Sequence, residues 1–258
     1  MTEEIIAKLF RQTGLGTVIP PISPVSGGFL HRMYRVNTED RSFAVKHLNP
    51  EIMQRPAAAE NFRRAEELEA ILEAIAVAMG FNAEGGGREH RFATQDSHSE
   101  LWRLLTTVKT TFPDDGFFLR AESFYNTSSY IDQSGSRLGR YGYRQLHTRS
   151  HGEAFLALVQ NRFEGHGLYL LDEPEAALSP QRLLSLLVAI HDLVELDSQF
   201  ILATHSPIVM AFPGSEIKLF DETGVRSVDY RDTEHYQITK QFINDPERML
   251  KYLLEDGD

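Results

Sequence analysis

The segment Leu168-Tyr169-Leu170-Leu171-Asp172-Glu173-Pro174 constrains the fold more than any other part of the chain. It opens as a short apolar run and stops on two carboxylates and a proline. Such a run reads as a strand buried on both faces, the kind found in parallel sheets. Its neighbours agree. Glu153 to Phe163 reads as a helix with Phe155, Leu156, Val159 and Phe163 on one face, and Leu183 to Leu196 is also helical. Gln199-Phe200-Ile201-Leu202-Ala203 reads as the next buried strand. Helix, strand, helix and strand in this order predict a parallel α/β core.

Composition narrows the class. The chain has 258 residues, 41% hydrophobic and 24% charged, which suits one large globular domain or two small ones. No run approaches the ~18 apolar residues a spanning helix needs. There is no cysteine, which excludes disulfide scaffolds, thiolate metal sites and cysteine nucleophiles. Met1-Thr2-Glu3-Glu4 lacks the basic and apolar regions of a signal peptide, so a cytoplasmic location is expected. The formal net charge of -11 gives no support to a nucleic-acid partner.

Upstream, Pro20-Pro21-Ile22-Ser23-Pro24-Val25-Ser26-Gly27-Gly28 reads as a turn. The strands Met33 to Asn37 and Ser42 to Lys46 flank a turn at Asn37-Thr38-Glu39-Asp40 and form a hairpin. From Ala57 to Met79 the apolar residues Phe62, Ala65, Leu68, Ile71, Leu72 and Ile75 recur at helical spacing. Gly80 and Gly85-Gly86-Gly87 end that helix. Phe117 to Ala121 reads as a strand, and the polar Asn126 to Tyr143 as a mobile loop.

Three short motifs carry chemistry. Asp172 and Glu173 close a strand, where one carboxylate can hold Mg²⁺ through water and the next can orient and deprotonate an attacking water. A solvated acidic turn is the plain alternative. Ala203-Thr204-His205-Ser206-Pro207 closes the next strand, where a histidine can touch a terminal phosphate. A histidine that only caps the strand is the alternative. Ser150-His151-Gly152-Glu153 opens a helix, and a serine, a glycine and free N–H groups there make an anion site. Ser150 and Glu153 also spell a capping box, and both readings can hold together.

Asp172 follows Ser150 by 22 positions, and His205 follows Asp172 by 33. This arrangement resembles the C-terminal half of an ABC-type ATPase domain. More specifically, it resembles the stand-alone ATPases placed in the AAA family. The resemblance covers residues 71–258 and implies an incomplete P-loop core with a parallel sheet. It implies ATP and Mg²⁺ as cofactors, with Asp172 supporting the metal, Glu173 polarising water and His205 meeting the γ-phosphate. Ser150 and Gly152 would meet the nucleotide of a second subunit, so a homodimer, or a heterodimer with an intact relative, is implied through the signature and D-loop face. Ala176-Ala177-Leu178-Ser179 match the D-loop. The glutamine loop would lie near Phe118 to Phe124, where only Arg120 and Glu122 are polar candidates.

One part of that pattern is missing. A P-loop reads Gly-x-x-x-x-Gly-Lys-Ser/Thr, and its backbone N–H groups, lysine and hydroxyl hold phosphate and Mg²⁺. The lysines are Lys8, Lys46, Lys109, Lys218, Lys240 and Lys251, and none follows a glycine. In the family the P-loop precedes a helix like Ile71-Leu72-Glu73-Ala74-Ile75-Ala76. Here Leu68 stands at the lysine position and Glu69 at the hydroxyl position.

Residues 1–70 resemble the start of an aminoglycoside/choline-kinase-type phosphotransferase, a small N-lobe-like β-hairpin plus helix. Ser26 to Val36 and Phe43 to Pro50 carry the likeness. It implies that Lys46 pairs with nucleotide phosphates and that Glu60 or Glu66 is its partner. A hairpin with an exposed lysine is the alternative. No catalytic-loop aspartate of that family follows. Three readings therefore stand: an ATPase impaired by the missing P-loop, a non-catalytic remnant that binds a partner, and a phosphotransferase fragment.

Overall fold

The computed structural model describes residues 3–13, 16–25, 32–39, 42–47, 58–89, 100–109, 111–120, 124–133, 145–221 and 224–254. The chain divides into two compact units, Met1–Glu66 with Ala93–Ser97, and Glu67–Phe92 with His98–Asp258.

In the first unit, helix α1 (Glu3–Thr13) places Ile6 and Phe10 one turn apart, and both pack with Val36. Three antiparallel strands follow: β1 (Val18–Val25), β2 (Arg32–Thr38) and β3 (Ser42–His47), with β2 in the middle. The expected hairpin is β2–β3, with Met33 opposite Lys46 and Asn37 opposite Ser42. The expected turn at Pro20 is corrected, because Pro20 and Pro21 lie within β1. The pairing of β1 with β2 shifts register between Ile19 and Ser23. Residues without an N–H are tolerated at such an irregularity on an outer strand.

The second unit is built on the parallel sheet β4 (Asp115–Arg120), β5 (Gly167–Asp172) and β6 (Gln199–Ala203), with β5 central. All of β5 is buried, as a central strand with both faces covered requires. The pleat sends alternate side chains to opposite faces. Phe118, Leu168 and Leu170 meet Leu72 and Ala76 of helix α2 (Ala58–Ala78), together with Phe81. Phe117, Leu119, Tyr169 and Leu171 meet the other layer. That layer contains helices α3 (Phe124–Gln133), α4 (His151–Arg162) and α6 (Pro180–Val194). Each large apolar side chain so buried contributes about 1.5–3 kcal/mol relative to exposure.

The loop expected over Asn126 to Tyr143 is corrected for its first part, which is α3. Phe124, Thr127, Ser128 and Ile131 are buried at spacings of three and four, so a helical stripe exists despite the polar composition. Residues 134–144 lie outside the described ones.

A buried ionic network closes the amino-terminal edge of the sheet. Arg162 Nη1 donates to both oxygens of Asp115, at 2.7 and 2.8 Å, and Nη2 donates to Glu89 at 2.9 Å. The Tyr169 hydroxyl lies 2.7 Å from Asp115 and accepts from the Glu164 N–H at 2.6 Å. The Tyr169 ring stacks on Phe163 with centroids 4.0 Å apart.

The short helices α5 (Pro174–Ala177) and α7 (Pro207–Met210) follow β5 and β6, each with proline in its first turn. The hairpin β7 (Ile217–Asp221) and β8 (Gly224–Val228) and the helices α8 (Glu234–Asn244) and α9 (Pro246–Leu254) complete the described chain. Among the described residues, no helix is long and apolar enough to cross a membrane.

Candidate functional site at the carboxyl edge of the parallel sheet

Three parallel strands deliver polar groups to one edge, the place where open α/β sheets bind ligands. β4 ends on Arg120, β5 on Asp172 and β6 just before Thr204 and His205.

Arg120 and Asp172 are register partners on adjacent strands. Arg120 Nε lies 3.5 Å from Asp172 Oδ2, and Arg120 Nη1 lies 3.4 Å from Glu73 Oε2. Its other terminal nitrogen pairs with Glu69. The side chains of Arg120, Asp172 and Glu73 are 14%, 11% and 10% exposed, so the cluster is largely shielded from water. A guanidinium is always charged and carries five donors in a fixed fork, which suits several carboxylates at once.

Positions 67–70 lie inside α2, where each N–H is committed to the carbonyl four residues back and cannot cradle a phosphate. Glu69 and Glu73 add negative charge beside them. A divalent cation requires several oxygen ligands at about 2.0–2.6 Å. Asp172 instead faces a permanent cation. Among the described residues, no group of three or more His, Cys, Asp or Glu side chains is arranged to hold a metal.

Glu173 adopts a left-handed backbone, φ 44° and ψ 55°, as the N-cap of α5. That conformation costs a non-glycine residue about 1–3 kcal/mol and clusters at functional positions. Its N–H is fixed by the Ala203 carbonyl at 2.9 Å. The side chain turns toward His205, whose Nε2 lies 3.4 Å from Glu173 Oε1. Glu175 anchors the same turn. One of its oxygens accepts from Thr204 Oγ1 at 2.7 Å and from the His205 N–H at 2.6 Å. On its far side, His205 Nδ1 lies 3.1 Å from His235 Nε2 of α8.

Ser150 is the N-cap of α4, and the expected capping box forms. Glu153 accepts from the Ser150 N–H at 3.0 Å and from Ser150 Oγ at 2.7 Å. The Ser150 hydrogen bonds hold the Glu153 carboxyl below its ordinary range, and Arg182 adds to this. Arg182 of α6 reaches Glu153 at 3.2 Å and Ser150 Oγ at 3.5 Å. A Cβ on Gly152 would stand 2.9 Å from the Ala177 carbonyl and from Arg182 Nη1. Only glycine allows the first turn of α4 so close to the end of α5.

The structure thus joins Glu173 to His205 and joins Asp172 to Arg120. Ser150 and Gly152 meet Arg182 and Ala177. Lys46 lies in β3 of the first unit, opposite Met33. Its side chain, those of Glu60 and Glu66, and residue Glu122 lie outside the described ones. Arg120 is legible in the sequence as the charged end of an apolar strand, although its pairing is not. No motif announces His235 or Arg182.

A parallel sheet whose neighbouring strands end in a carboxylate pair and a histidine fits a P-loop-like core. In agreement, the family model described as "AAA domain, putative AbiEii toxin, Type IV TA system" matches residues 150–211. The match covers Ser150, Asp172, Glu173 and His205 and reaches neither Arg120 nor His235. No curated protein and no solved structure matches the chain.

Proposed function

We propose that this chain is an ABC-type ATPase-like subunit that does not turn over ATP alone and acts on a partner that carries a P-loop. The observation that carries this reading is the Arg120–Asp172 pair. The carboxylate that the family resemblance assigns to Mg²⁺ stands 3.5 Å from the chain's own cation. The helical course of positions 67–70 supports the same reading. The opposite half of such a site, Ser150 to Glu153 with Ala176 to Ser179, keeps its local order through the capping box and Gly152. That half is the part a subunit lends to a neighbour's nucleotide in the resembled family. The partner is then a second ATPase domain with an intact Gly-Lys-Ser/Thr loop. The phosphotransferase likeness around Lys46 adds no step to this function.

The test is ATP turnover by intact ABC-type relatives from the same genome, with and without this chain. The reading expects one of them to accelerate several-fold, and Ser150→Arg, shown folded by circular dichroism, to abolish the gain. No acceleration of any relative by the folded chain contradicts it.

A further inference from the structure

We propose that Glu173, His205 and His235 form a proton-sharing chain at the sheet edge, with His235 as the positioning residue that sets the tautomer of His205. The inference goes beyond the partner reading and does not depend on it, because every group belongs to this chain.

The geometry is a line of three groups. Glu173 Oε1 stands 3.4 Å from His205 Nε2, and His205 Nδ1 stands 3.1 Å from His235 Nε2. The two rings are tilted by 40° with centroids 4.7 Å apart, so the contact joins ring nitrogens and is not a stack. A carboxylate only accepts, so it selects the His205 tautomer with hydrogen on Nε2. Nδ1 of that tautomer is an acceptor, and His235 supplies the matching N–H from Nε2. One added proton is absorbed without loss of contact. Nδ1 of His205 then carries hydrogen and donates to the Nε2 of His235, whose own hydrogen moves to Nδ1. A second added proton puts hydrogen on both facing nitrogens, and the contact breaks.

The surroundings favour this assignment. Glu175 holds the His205 backbone through its N–H and through Thr204, which fixes the ring's origin. The charged groups facing His235 are His205 from the turn after β6, Glu175 from α5 and Glu234 from its own helix. Burial and the His205 charge push the His235 imidazole below its ordinary range, against the opposing pull of Glu234 and Glu175. The contact also ties α8 to the sheet edge. Neither α8 nor α9 contains a buried residue.

The experiment is a nitrogen-15 imidazole titration of the full chain by NMR, from pH 5 to pH 9, on the wild type and on His235→Asn. The expected wild-type result is that the nitrogen shifts of each ring follow both macroscopic steps, the mark of coupled sites. At pH 8, His205 is expected to be almost wholly the Nε2–H tautomer. In His235→Asn, the His205 step becomes single and its tautomers mix. Independent titration of the two rings in the wild type, each following one step of its own, overturns the proposal, and that result needs no variant. Unchanged His205 shifts in a folded His235→Asn protein overturn it as well.

Discussion

Arg120 and Asp172 stand side by side on adjacent parallel strands, and the guanidinium Nε of one lies 3.5 Å from the carboxylate of the other. The pair sits with Glu73 and Glu69 in a largely buried cluster. Removing one partner of such a pair leaves an uncompensated charge, which costs about 3–5 kcal/mol. Arg120→Ala is therefore expected to destabilise the second unit by that order in a denaturant midpoint assay. Arg120→Met combined with Asp172→Asn is expected to cost less than the two single changes together. Additive losses would mean that the two residues do not interact.

Glu173 makes the opposite case. Its left-handed backbone is a standing cost, and its side chain is 44% exposed. Glu173→Gly removes the cost of the Cβ and gives up little burial. A gain of about 1 kcal/mol is expected in thermal unfolding. A loss of that size would show that the contact with His205 outweighs the backbone.

The Arg162–Asp115–Tyr169 network gives stability a pH dependence. Burial works to raise the Asp115 carboxyl, but hydrogen bonds from Arg162 and Tyr169 outweigh it and hold the group below its ordinary value. Its folded value therefore lies below the unfolded one of about 3.9. The stabilisation is fully present above that value and is lost as pH falls through the folded one. Tyr169 works at the other end, because burial and Asp115 raise its phenol. Its share is complete below about pH 10 and is lost as pH rises beyond. Urea midpoints from pH 2.5 to 7 are expected to rise up to about pH 4 and then level off on this account. In Asp115→Asn the step should shrink, and stability at pH 7 should fall by about 3–5 kcal/mol.

Helix α3 offers a test of the fold. Ile131 is 3% exposed and packs in the main core. Ile131→Ala is expected to cost about 2–5 kcal/mol. A change within about 0.5 kcal/mol would be the behaviour of an exposed loop residue.

That helix also shows where sequence reading stops. The strands β4, β5 and β6 and the helices α4 and α6 are legible because apolar runs and helical stripes report burial directly. Among the described side chains of α3, two of the four buried ones are Thr127 and Ser128, so the stripe is hidden by polar atoms. β1 is hidden by its prolines, which the register shift accommodates. At the site, Asp172, Glu173 and His205 stand out because each ends or closely follows an apolar strand, of which β5 is buried and β6 only half-buried. The partners of those residues are set by register and by long-range packing. Arg120 is 52 positions from Asp172, and His235 is 30 from His205. Neither separation has a local periodicity to betray it.

The central claim is that Asp172 stands against the chain's own cation and that the helix through positions 67–70 leaves no cradle for nucleotide. Isothermal titration of the purified, monodisperse protein with Mg·ATP tests it most directly. The expected result is no heat of binding at millimolar ATP, with hydrolysis at background. Micromolar binding, with turnover that disappears in Glu173→Gln, would contradict it.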